Sequence, residues 1–373
     1  MALEHTPEML KELQAMPLEA KVLMTKARIR EFYTGYGSIK GYGNCYVSFS
    51  GGKDSTVLLH IARQLYPEIP AVFSNTGLEY PEIQAFVKRH ENVTVVRPKM
   101  QFSEVISKYG YPLIGKEVAK AIYYARRIGN SKNYGRRTIV GEYETRGRGN
   151  AFDRRKWMPL ATEIPVAISD YCCSVIKKRP IKQFQKKIQA YPIYATMAEE
   201  SQLRLLGWLR TGCNSFDGNV HSKPMSFWTE QDVLRYIVQN DLEYASVYGD
   251  IVAVDDEGNE YDSHGMLMDG CKLRCTGCQR TGCIYCAFGA HLEKGETRFQ
   301  RLARTHPRQY EYCMGGGQWV DNPTYDATAP EYDGEWKNWN PKKIWVPSKN
   351  GLGLKVVFDM VNEIYEKGFY RYD

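Results

Sequence analysis

The segment Ser48-Phe49-Ser50-Gly51-Gly52-Lys53-Asp54-Ser55 begins at the end of an apolar run, residues 45–49. It precedes a largely apolar stretch at residues 57–61. A short apolar run beside glycine is typical of a buried parallel strand. The second stretch has the spacing of a helix that buries one face. The segment is therefore predicted to connect the carboxyl end of a strand to the first turn of a helix.

This placement favours the binding of an anion. Adjacent glycines let the backbone approach a phosphate closely, and the free N–H groups at a helix start point at it. Lys53 can neutralise phosphate charge, Ser50 and Ser55 can donate hydroxyl hydrogen bonds, and Asp54 can hold Mg²⁺ or fix the loop. Neither the Walker pattern nor the G-x-G-x-x-G dinucleotide pattern is present here. The alternative is an ordinary glycine turn between a strand and a helix.

Strand and helix patterns alternate on both sides of this segment. Apolar strand-like runs lie at residues 71–73, 93–96 and 191–196, and helix-like stretches lie at 81–87, 181–188 and 229–239. Such alternation predicts an α/β fold with a doubly wound parallel sheet. We predict an N-terminal helical segment at 1–40, a nucleotide-binding domain at 41–250 and an irregular, cysteine-rich C-terminal region at 251–373.

Composition limits the protein class. The chain has 373 residues, of which 43% are hydrophobic, and a formal net charge of +7. This is the composition of a globular protein, and no apolar run is long enough to span a membrane. The beginning of the chain does not resemble a signal peptide, so a cytoplasmic location is expected. A homo-oligomer is compatible with the sequence.

A basic, tyrosine-rich insertion at residues 116–165 interrupts the alternation. Between Lys116 and Lys156 there are twelve Lys or Arg and four Asp or Glu, a local charge of +8. Basic and aromatic side chains are interleaved there, namely Arg126, Arg127, Arg136, Arg137, Arg146, Arg148, Arg154 and Arg155 with Tyr123, Tyr124, Tyr134 and Trp157. This mixture suits RNA or DNA binding, and equally a loop that closes over a nucleotide.

The phosphate segment resembles the pyrophosphate loop (PP-loop) of the adenine-nucleotide α-hydrolase superfamily. That group includes ATP pyrophosphatases and sulfonucleotide reductases, which act on phosphoadenosine phosphosulfate (PAPS) or its unphosphorylated analogue (APS). Further segments resemble elements of the iron–sulfur members in the family's order, at residues 74–82, 171–180, 199–204, 223–233 and 281–286. The similarity extends over roughly residues 40–290.

The resemblance implies roles for individual residues. Ser74, Asn75, Thr76 and Gly77 would border the adenine, and Lys53, Asp54, Lys177 and Arg204 would act in catalysis. A [4Fe–4S] cluster would be bound by Cys172, Cys173, Cys283 and Cys286.

Cysteine spacing alone leaves other arrangements open. The run Cys275-x2-Cys278-x4-Cys283-x2-Cys286 could bind Zn²⁺ or a cluster by itself. Cys271, Cys275 and Cys278 have the spacing of a radical-SAM cluster, although the strand pattern of the corresponding barrel is missing. These three could also hold a second metal with Cys213 or His264. Cys45 and Cys313 are predicted to be buried small side chains.

The resemblance implies an enzyme of sulfur metabolism. The intact loop with Lys53 favours ATP-dependent adenylation of a substrate followed by sulfur transfer to an unidentified acceptor. The double cysteine with Cys283-x-x-Cys286 favours reduction of PAPS or APS to sulfite, but the chain has no Glu-Cys-Gly-Leu-His motif of the thioredoxin-linked reductases. A third hypothesis is a nucleic-acid-binding or modification-complex subunit in which the nucleotide is regulatory.

Overall fold

The computed structural model describes residues 5–35, 44–127, 134–141, 154–262 and 271–373. Its helices are α1 Pro7–Gln14, α2 Leu18–Thr34, α3 Lys53–Leu65, α4 Pro81–Lys88, α5 Phe102–Tyr109, α6 Lys116–Ala125, α7 Tyr134–Ile139, α8 Met158–Thr162, α9 Arg179–Ile188, α10 Gln202–Thr211, α11 Glu230–Gln239, α12 Arg298–Thr305, α13 Pro307–Met314 and α14 Leu354–Ile364. Its strands are β1 Cys45–Ser48, β2 Ala71–Ser74, β3 Val93–Val96, β4 Tyr191–Ile193, β5 Asn214–Ser215, β6 His221–Ser222, β7 Ile251–Val254, β8 Glu260–Asp262, β9 Lys272–Cys275, β10 Gln318–Asp321, β11 Tyr332–Asp333, β12 Trp336–Lys337 and β13 Lys343–Val346. The predicted positions Arg146, Arg148 and His264 lie outside the described residues.

The chain forms two compact units. Unit 1 comprises residues 1–75, 79–97 and 180–282, and unit 2 comprises residues 76–78, 98–179 and 283–373. These units do not coincide with the domains at 41–250 and 251–373, which remain a prediction. None of the helices in the described ranges combines the length and the apolar composition needed to cross a bilayer.

Unit 1 contains the predicted doubly wound sheet. Its strand order is β3-β2-β1-β4-β6-β5, and the neighbouring strands are parallel except for β5, which runs antiparallel to β6. The chain moves from β1 to β2 and β3 on one side and returns to β4 and β6 on the other. The segment after β1 therefore leaves the sheet where the strand order reverses, which is where open α/β sheets bind ligands. The predicted fold class is confirmed.

The predicted N-terminal helical segment is present as α1 and α2, and it packs within unit 1. Lys21 of α2 is buried, and its ammonium donates to the Asp232 carboxylate at 2.7 Å. The same carboxylate accepts a hydrogen bond from the backbone N–H of Thr229, while the Thr229 hydroxyl accepts one from the Asp232 N–H. This reciprocal capping box begins α11 where the sequence predicts it.

The insertion and the C-terminal region contain more regular structure than their sequences indicate. The insertion at 116–165 contains α6, α7 and α8, and a Cβ on Gly135 would lie 2.3 Å from the Ala121 carbonyl oxygen, so α6 and α7 are in close contact. Beyond residue 250, unit 1 forms an antiparallel sheet of order β8-β7-β9, and unit 2 contains α12 and α13 before the final helix α14. The prediction of an irregular C-terminal region is wrong for β7, β8, β9, α12 and α13.

Unit 2 has its own core. Phe358 of α14 stacks on Tyr370 with ring centroids 4.3 Å apart, and the Tyr370 hydroxyl oxygen accepts a hydrogen bond from Ile114 N. The buried Arg136 of α7 donates to Asp333 at 2.6 Å. Arg136, which the sequence placed in a basic surface insertion, is therefore a structural ion-pair partner.

Candidate functional site

The PP-loop in unit 1 is held in shape by its own hydroxyl groups. The Ser50 N–H donates to Ser55 Oγ at 3.2 Å, and Gly52 N donates to Ser50 Oγ at 3.3 Å. The Gly52 carbonyl accepts from Ser55 Oγ at 2.9 Å. Gly52 is the N-cap of α3 and has no side chain to occupy the helix start. The serines therefore support a backbone turn whose α3 amides are available to an anion.

Gly51 is required at its position for two reasons. Its φ is +73°, and a Cβ there would lie 2.7 Å from Val87 and 2.8 Å from Ile83 side-chain carbons. A left-handed residue with a Cβ costs about 1–2 kcal/mol, and overpacking adds about 1–3 kcal/mol. The loop conformation and the packing of α4 are thus linked at this residue.

We expect Gly51→Ala to lower the free energy of unfolding by about 2–5 kcal/mol. Gly218→Ala is the matched control in unit 1, because Gly218 has φ +63° but open space around it. The control should lose only about 1–2 kcal/mol. Urea unfolding measures both, and equal losses would contradict the packing argument.

Lys53 is buried at the first residue of α3, with 4% of its surface exposed. Its ammonium makes an ion pair with the Glu230 carboxylate and lies 5.6 Å from the centre of the Tyr248 ring. The Tyr248 hydroxyl in turn shares a 2.7 Å hydrogen bond with Thr281. The cation is therefore fixed beside the glycine turn, and its partner Glu230 is about one-third exposed.

Asp54 lies among charged side chains of unit 1. Burial raises the pKa of its carboxyl, and the charge of Glu230 raises it further, while Lys53, Arg280 and Arg204 lower it. Burial lowers the pKa of Arg204, and Arg280 adds to this effect. Arg204 also pairs with Glu200. Three cations and two further carboxylates, Glu200 and Glu230, thus lie near Asp54, so a phosphate would compete with carboxylates for the cations and a divalent cation would balance the acidic groups.

The PP-loop, together with Lys53 and Asp54, borders a small cleft of about 100 Å³. Its walls include Ser50, Gly52, Lys53, Asp54, Glu200, Glu230, Tyr248, Arg280 and Thr281. Ligand pockets commonly measure about 300–1,000 Å³. The cleft is therefore sized for phosphate groups rather than for a whole nucleotide.

The residues predicted to border adenine begin at the carboxyl end of β2, the neighbour of β1. Ser74 ends that strand, and its buried hydroxyl has no hydrogen-bond partner among the described residues. The Asn75 N–H donates to the Val96 carbonyl, while the Thr76 hydroxyl accepts from Leu78 N. Gly77 has φ +76° and open space around it. Ser74 is thus the member of this group whose hydroxyl is available to a ligand.

The predicted cluster ligands Cys172, Cys173, Cys283 and Cys286 all belong to unit 2. Cys173 begins a wide helical turn of the π type, Cys173–Lys178, and the Cys286 N–H donates to the Cys283 carbonyl at 3.0 Å. Cys172 is buried and the other three are half-buried. The structure therefore brings a sequence-adjacent pair and a distant C-x-x-C into one compact body.

Electrostatic coupling links these thiols. The pKa of Cys173 is lowered to about 6, mainly by a hydrogen bond from Cys172 and also by the charges of Lys116, Lys177 and Lys178, against the effect of burial. The same hydrogen bond, burial and the charges of Cys173, Cys286 and Cys283 raise the pKa of Cys172. Burial raises the pKa of Cys283 to about 11, and Lys177 opposes it. Lys177 is thus a charge partner of the thiols.

The donor set fits an iron–sulfur cluster. Four cysteines are a full set of ligands, and cationic lysines favour the thiolate forms that bind iron. In the described part of the chain, no three His, Cys, Asp or Glu side chains converge as the ligands of a single metal ion. A four-iron cluster is wider than one ion, so its thiolates need not converge in this way.

The other cysteines have different surroundings. Cys275 and Cys278 are buried, and the Cys278 N–H donates to the Val247 carbonyl in the turn after β9. Cys271 is half-buried, and burial raises the pKa of Cys213 to about 11. Within the described ranges these side chains do not converge as ligands of a single ion, so the structure gives no support to a zinc site or a second single-ion centre on them. Cys45 and Cys313 are buried, as predicted.

Three residues of the loop site, Glu230, Arg280 and Tyr248, are not among the predicted site residues. Glu230 lies in the segment 223–233 that carries the resemblance, but its pairing with Lys53 spans 177 residues of chain. Arg280 directly precedes the element at 281–286, and its position was an available signal. Nothing in the local sequence marks Tyr248.

Comparison with known proteins identifies a family. The model of the phosphoadenosine phosphosulfate reductase domain matches residues 44–123 and 152–288, which is more than half of the chain. A phosphoadenosine 5′-phosphosulfate reductase of Gloeobacter violaceus is 25% identical over 212 residues, which cover 56% of this chain and 67% of that protein. An uncharacterized protein of Methanocaldococcus jannaschii is 23% identical over 325 residues, which cover 83% of this chain but only 57% of that relative.

Solved structures give weaker likenesses. A PAPS reductase of Candida auris in complex with phosphate aligns with 12% identity and a TM-score of 0.34, covering 66% of this chain and 92% of that one. A tRNA thiolase of Methanococcus maripaludis, solved with its [4Fe–4S] cluster, aligns with 15% identity and a TM-score of 0.30, covering 61% and 66%. At these scores neither likeness bears on the chemistry of this chain.

Proposed function

Because the chain belongs to the phosphoadenosine phosphosulfate reductase domain family, we propose that it is an iron–sulfur enzyme that uses ATP to activate an acceptor for sulfur transfer. The observation that carries this proposal is Lys53, a buried cation at the start of α3 beside Gly52. An intact loop with this lysine resembles those of enzymes that split ATP between its α- and β-phosphates. The small cleft around it accommodates the phosphates that leave.

The proposed reaction has two steps. First, an oxygen of the acceptor attacks the α-phosphorus of ATP, the bond from that phosphorus to the bridging oxygen breaks, and pyrophosphate leaves. Second, hydrosulfide attacks the activated carbon, the carbon–oxygen bond breaks, and AMP leaves. The product carries sulfur where the acceptor carried oxygen, and no net oxidation or reduction occurs.

The loop residues act mainly in the first step. The α3 amides and Lys53 would stabilise charge on the departing pyrophosphate, because fixed donors aimed at developing charge lower the barrier. Arg204 and Arg280 would neutralise the remaining phosphate charge near Asp54. Asp54 would orient Mg²⁺ in its ionised form. Lys177 would remain with the cysteines of unit 2 as their charge partner.

Cys172, Cys173, Cys283 and Cys286 would hold the cluster. A [4Fe–4S] cluster held by four cysteines has no open iron position, so when bound it would supply charge and not a coordination site for sulfur. The chain's own contribution is to keep the four thiols in one half-buried place, with positive charge from Lys116 and Lys177 nearby.

A second candidate is reduction of PAPS or APS to sulfite by two electrons from a thiol reductant. The observation that favours it is the 25% identity to the reductase of Gloeobacter violaceus. The two candidates differ in the nucleotide consumed and in the first product released.

An anaerobic assay tests the proposal. The purified protein is analysed for iron, sulfide and visible absorbance, and is then incubated with Mg-ATP or PAPS while pyrophosphate, AMP and sulfite are measured. Iron-containing protein that releases pyrophosphate from ATP supports the adenylating enzyme. Sulfite from PAPS with ATP untouched would replace it with the reductase, and colourless protein with stoichiometric zinc would overturn the cluster assignment.

The ion pair between Lys53 and Glu230 gives a further prediction. An incoming nucleotide must compete with the Glu230 carboxylate for the ammonium, so removal of that carboxylate's charge should favour binding. We expect Glu230→Gln to tighten binding of ATP without Mg²⁺ by about two- to fivefold, the size of one partly exposed ion pair. Isothermal titration calorimetry measures this change.

The matched control is Glu243→Gln, which breaks an exposed ion pair with Arg89 elsewhere in unit 1. That variant should bind ATP as the parent protein does. Weaker binding by Glu230→Gln would mean that Glu230 assists the nucleotide instead of competing with it.

A further inference from the structure

Unit 2 contains a second, larger cavity that the proposed catalytic residues do not use. It has a volume of about 490 Å³, within the range of ligand pockets. We call it the tyrosine groove, and its walls include Lys108, Tyr109, Tyr123, Arg126, Arg127 and Trp339.

Aromatic rings form one wall of the tyrosine groove. Tyr109 and Tyr171 stack in parallel, with centroids 4.9 Å apart and an interplanar angle of 6°. Tyr123 lies 4.9 Å from Tyr171, and the Arg127 guanidinium lies over Tyr123 at 5.6 Å. Tyr109 and Tyr123 are half-buried, and the Lys108 ammonium lies 5.5 Å from the centre of the Tyr109 ring. Each ring is therefore covered by a flexible cation, and a phosphate that draws this cation away would leave a planar apolar surface for a base. Such platforms suit a nucleobase, because every base has a face that stacks.

Arg126 gives the groove a positively charged wall. Its guanidinium donates to the backbone carbonyls of four residues, namely Leu160, Ala161, Ile164 and Val166. It also lies 4.1 Å from the centre of the Trp339 ring. Among the described residues it has no carboxylate partner, and its remaining donor is on Nη1. A half-buried cation without a carboxylate partner attracts anions, and its remaining Nη1 donor would be available to a phosphate in the groove.

The rim of the groove adds to this charge. Lys108 and Arg127 are exposed there. The acidic residue at the rim is Asp326, and its carboxylate accepts hydrogen bonds from the backbone and hydroxyl of Thr328. The groove therefore combines stacking surfaces with three cations.

We propose that the tyrosine groove binds one nucleotide unit of a single-stranded nucleic acid, with its base on the tyrosines and its phosphate on Arg126, Arg127 and Lys108. A polymer is favoured over a free nucleotide because Lys120, Arg137, Arg155 and Lys156 of the same insertion add exposed positive side chains, more than one phosphate requires. A single strand is favoured because bases in a duplex cannot stack on protein side chains.

Tyr171, which stacks on the groove residue Tyr109, directly precedes Cys172 in the sequence. Binding of a strand in the groove does not depend on the proposed sulfur transfer.

Fluorescence anisotropy with labelled oligomers tests the binding. The oligomers are 12 nucleotides long, about the length that several phosphate contacts need. Single-stranded RNA and DNA, a duplex, and ATP as competitor are compared on the full-length protein. For whichever single strand binds more tightly, RNA or DNA, Tyr123→Ala should weaken binding about tenfold or more. Tyr123→Phe should weaken the same binding by less than about twofold. The double variant Lys108→Ala/Arg127→Ala should make the plot of log binding constant against log salt concentration less steep, by the amount that corresponds to about two phosphate contacts.

Two control variants separate this inference from the proposed function. Lys53→Met should bind the oligomer unchanged even if it cannot use ATP. Lys367→Ala removes an exposed lysine of unit 2 outside the groove and should have no effect. The proposal would be overturned if binding survives Tyr123→Ala, prefers the duplex or is lost in Lys53→Met. It would also be overturned if polyglutamate, added as a second competitor, displaces the labelled oligomer as well as an unlabelled oligomer does.

Discussion

Lys53→Met is expected to slow the release of pyrophosphate from ATP by about 100- to 1,000-fold, because one fixed donor to the leaving group is lost. Methionine matches the length and apolar stem of lysine, so the buried space at the start of α3 stays filled. The substitution leaves Glu230 without its partner, but that carboxylate is about one-third exposed and retains contact with water. The rate is measured in single turnovers at saturating Mg-ATP.

Lys88→Met is the control for this prediction, since Lys88 is an exposed lysine on α4 of the same unit. It should keep the parent rate. The double variant Lys53→Met/Glu230→Gln restores charge balance in the cleft and should fold at least as stably as the single variant. Pyrophosphate release within about tenfold of the parent in Lys53→Met would remove this lysine from the mechanism.

Cys172→Ser and Cys283→Ser are each expected to reduce bound iron from about four atoms per chain to below about one. Serine is a poor ligand for iron, and each substitution removes one of the four thiolates required. The two cysteines come from opposite ends of the proposed ligand set, so the same result from both would tie the adjacent pair to the distant C-x-x-C. Iron and sulfide analysis with visible spectra, all under anaerobic conditions, measures the loss.

Two control variants define this result. Cys313→Ala removes a buried cysteine of unit 2 outside the ligand set and should leave iron unchanged. Cys275→Ser should also leave iron unchanged, since Cys275 is enclosed in the small sheet of unit 1. Loss of iron in Cys275→Ser, with retention in Cys172→Ser, would instead favour a local cluster in the run from 275 to 286.

The central part of the fold could be predicted from sequence because its signals are local. The apolar strand, the paired glycines and the helix pattern that follow each other around Ser50–Ser55 all act within a few residues. The capping box at Thr229 and Asp232 has the same character, since both partners lie within one helical turn. The doubly wound sheet followed from repetition of such local units.

Long-range pairings could not be predicted in this way. The helix α6 could not be recognised in the sequence because its buried face is formed largely by Ala119, Ala121 and Ala125. These small residues lie within a strongly basic stretch, so the apolar pattern of a helix is weak there. Arg126 looked like any surface arginine, yet tertiary packing encloses it with backbone carbonyls as its partners. Burial of a charged group is decided by the whole fold, and local composition carries no record of it.

The alternation of the two units along the chain has a consequence for dissecting the protein. The polypeptide passes from one unit to the other after residues 75, 78, 97, 179 and 282. No single cut therefore yields a fragment with one whole unit. A truncation at any of these points removes part of one core from its remaining strands or helices, so each unit should be studied by point substitution within the full chain.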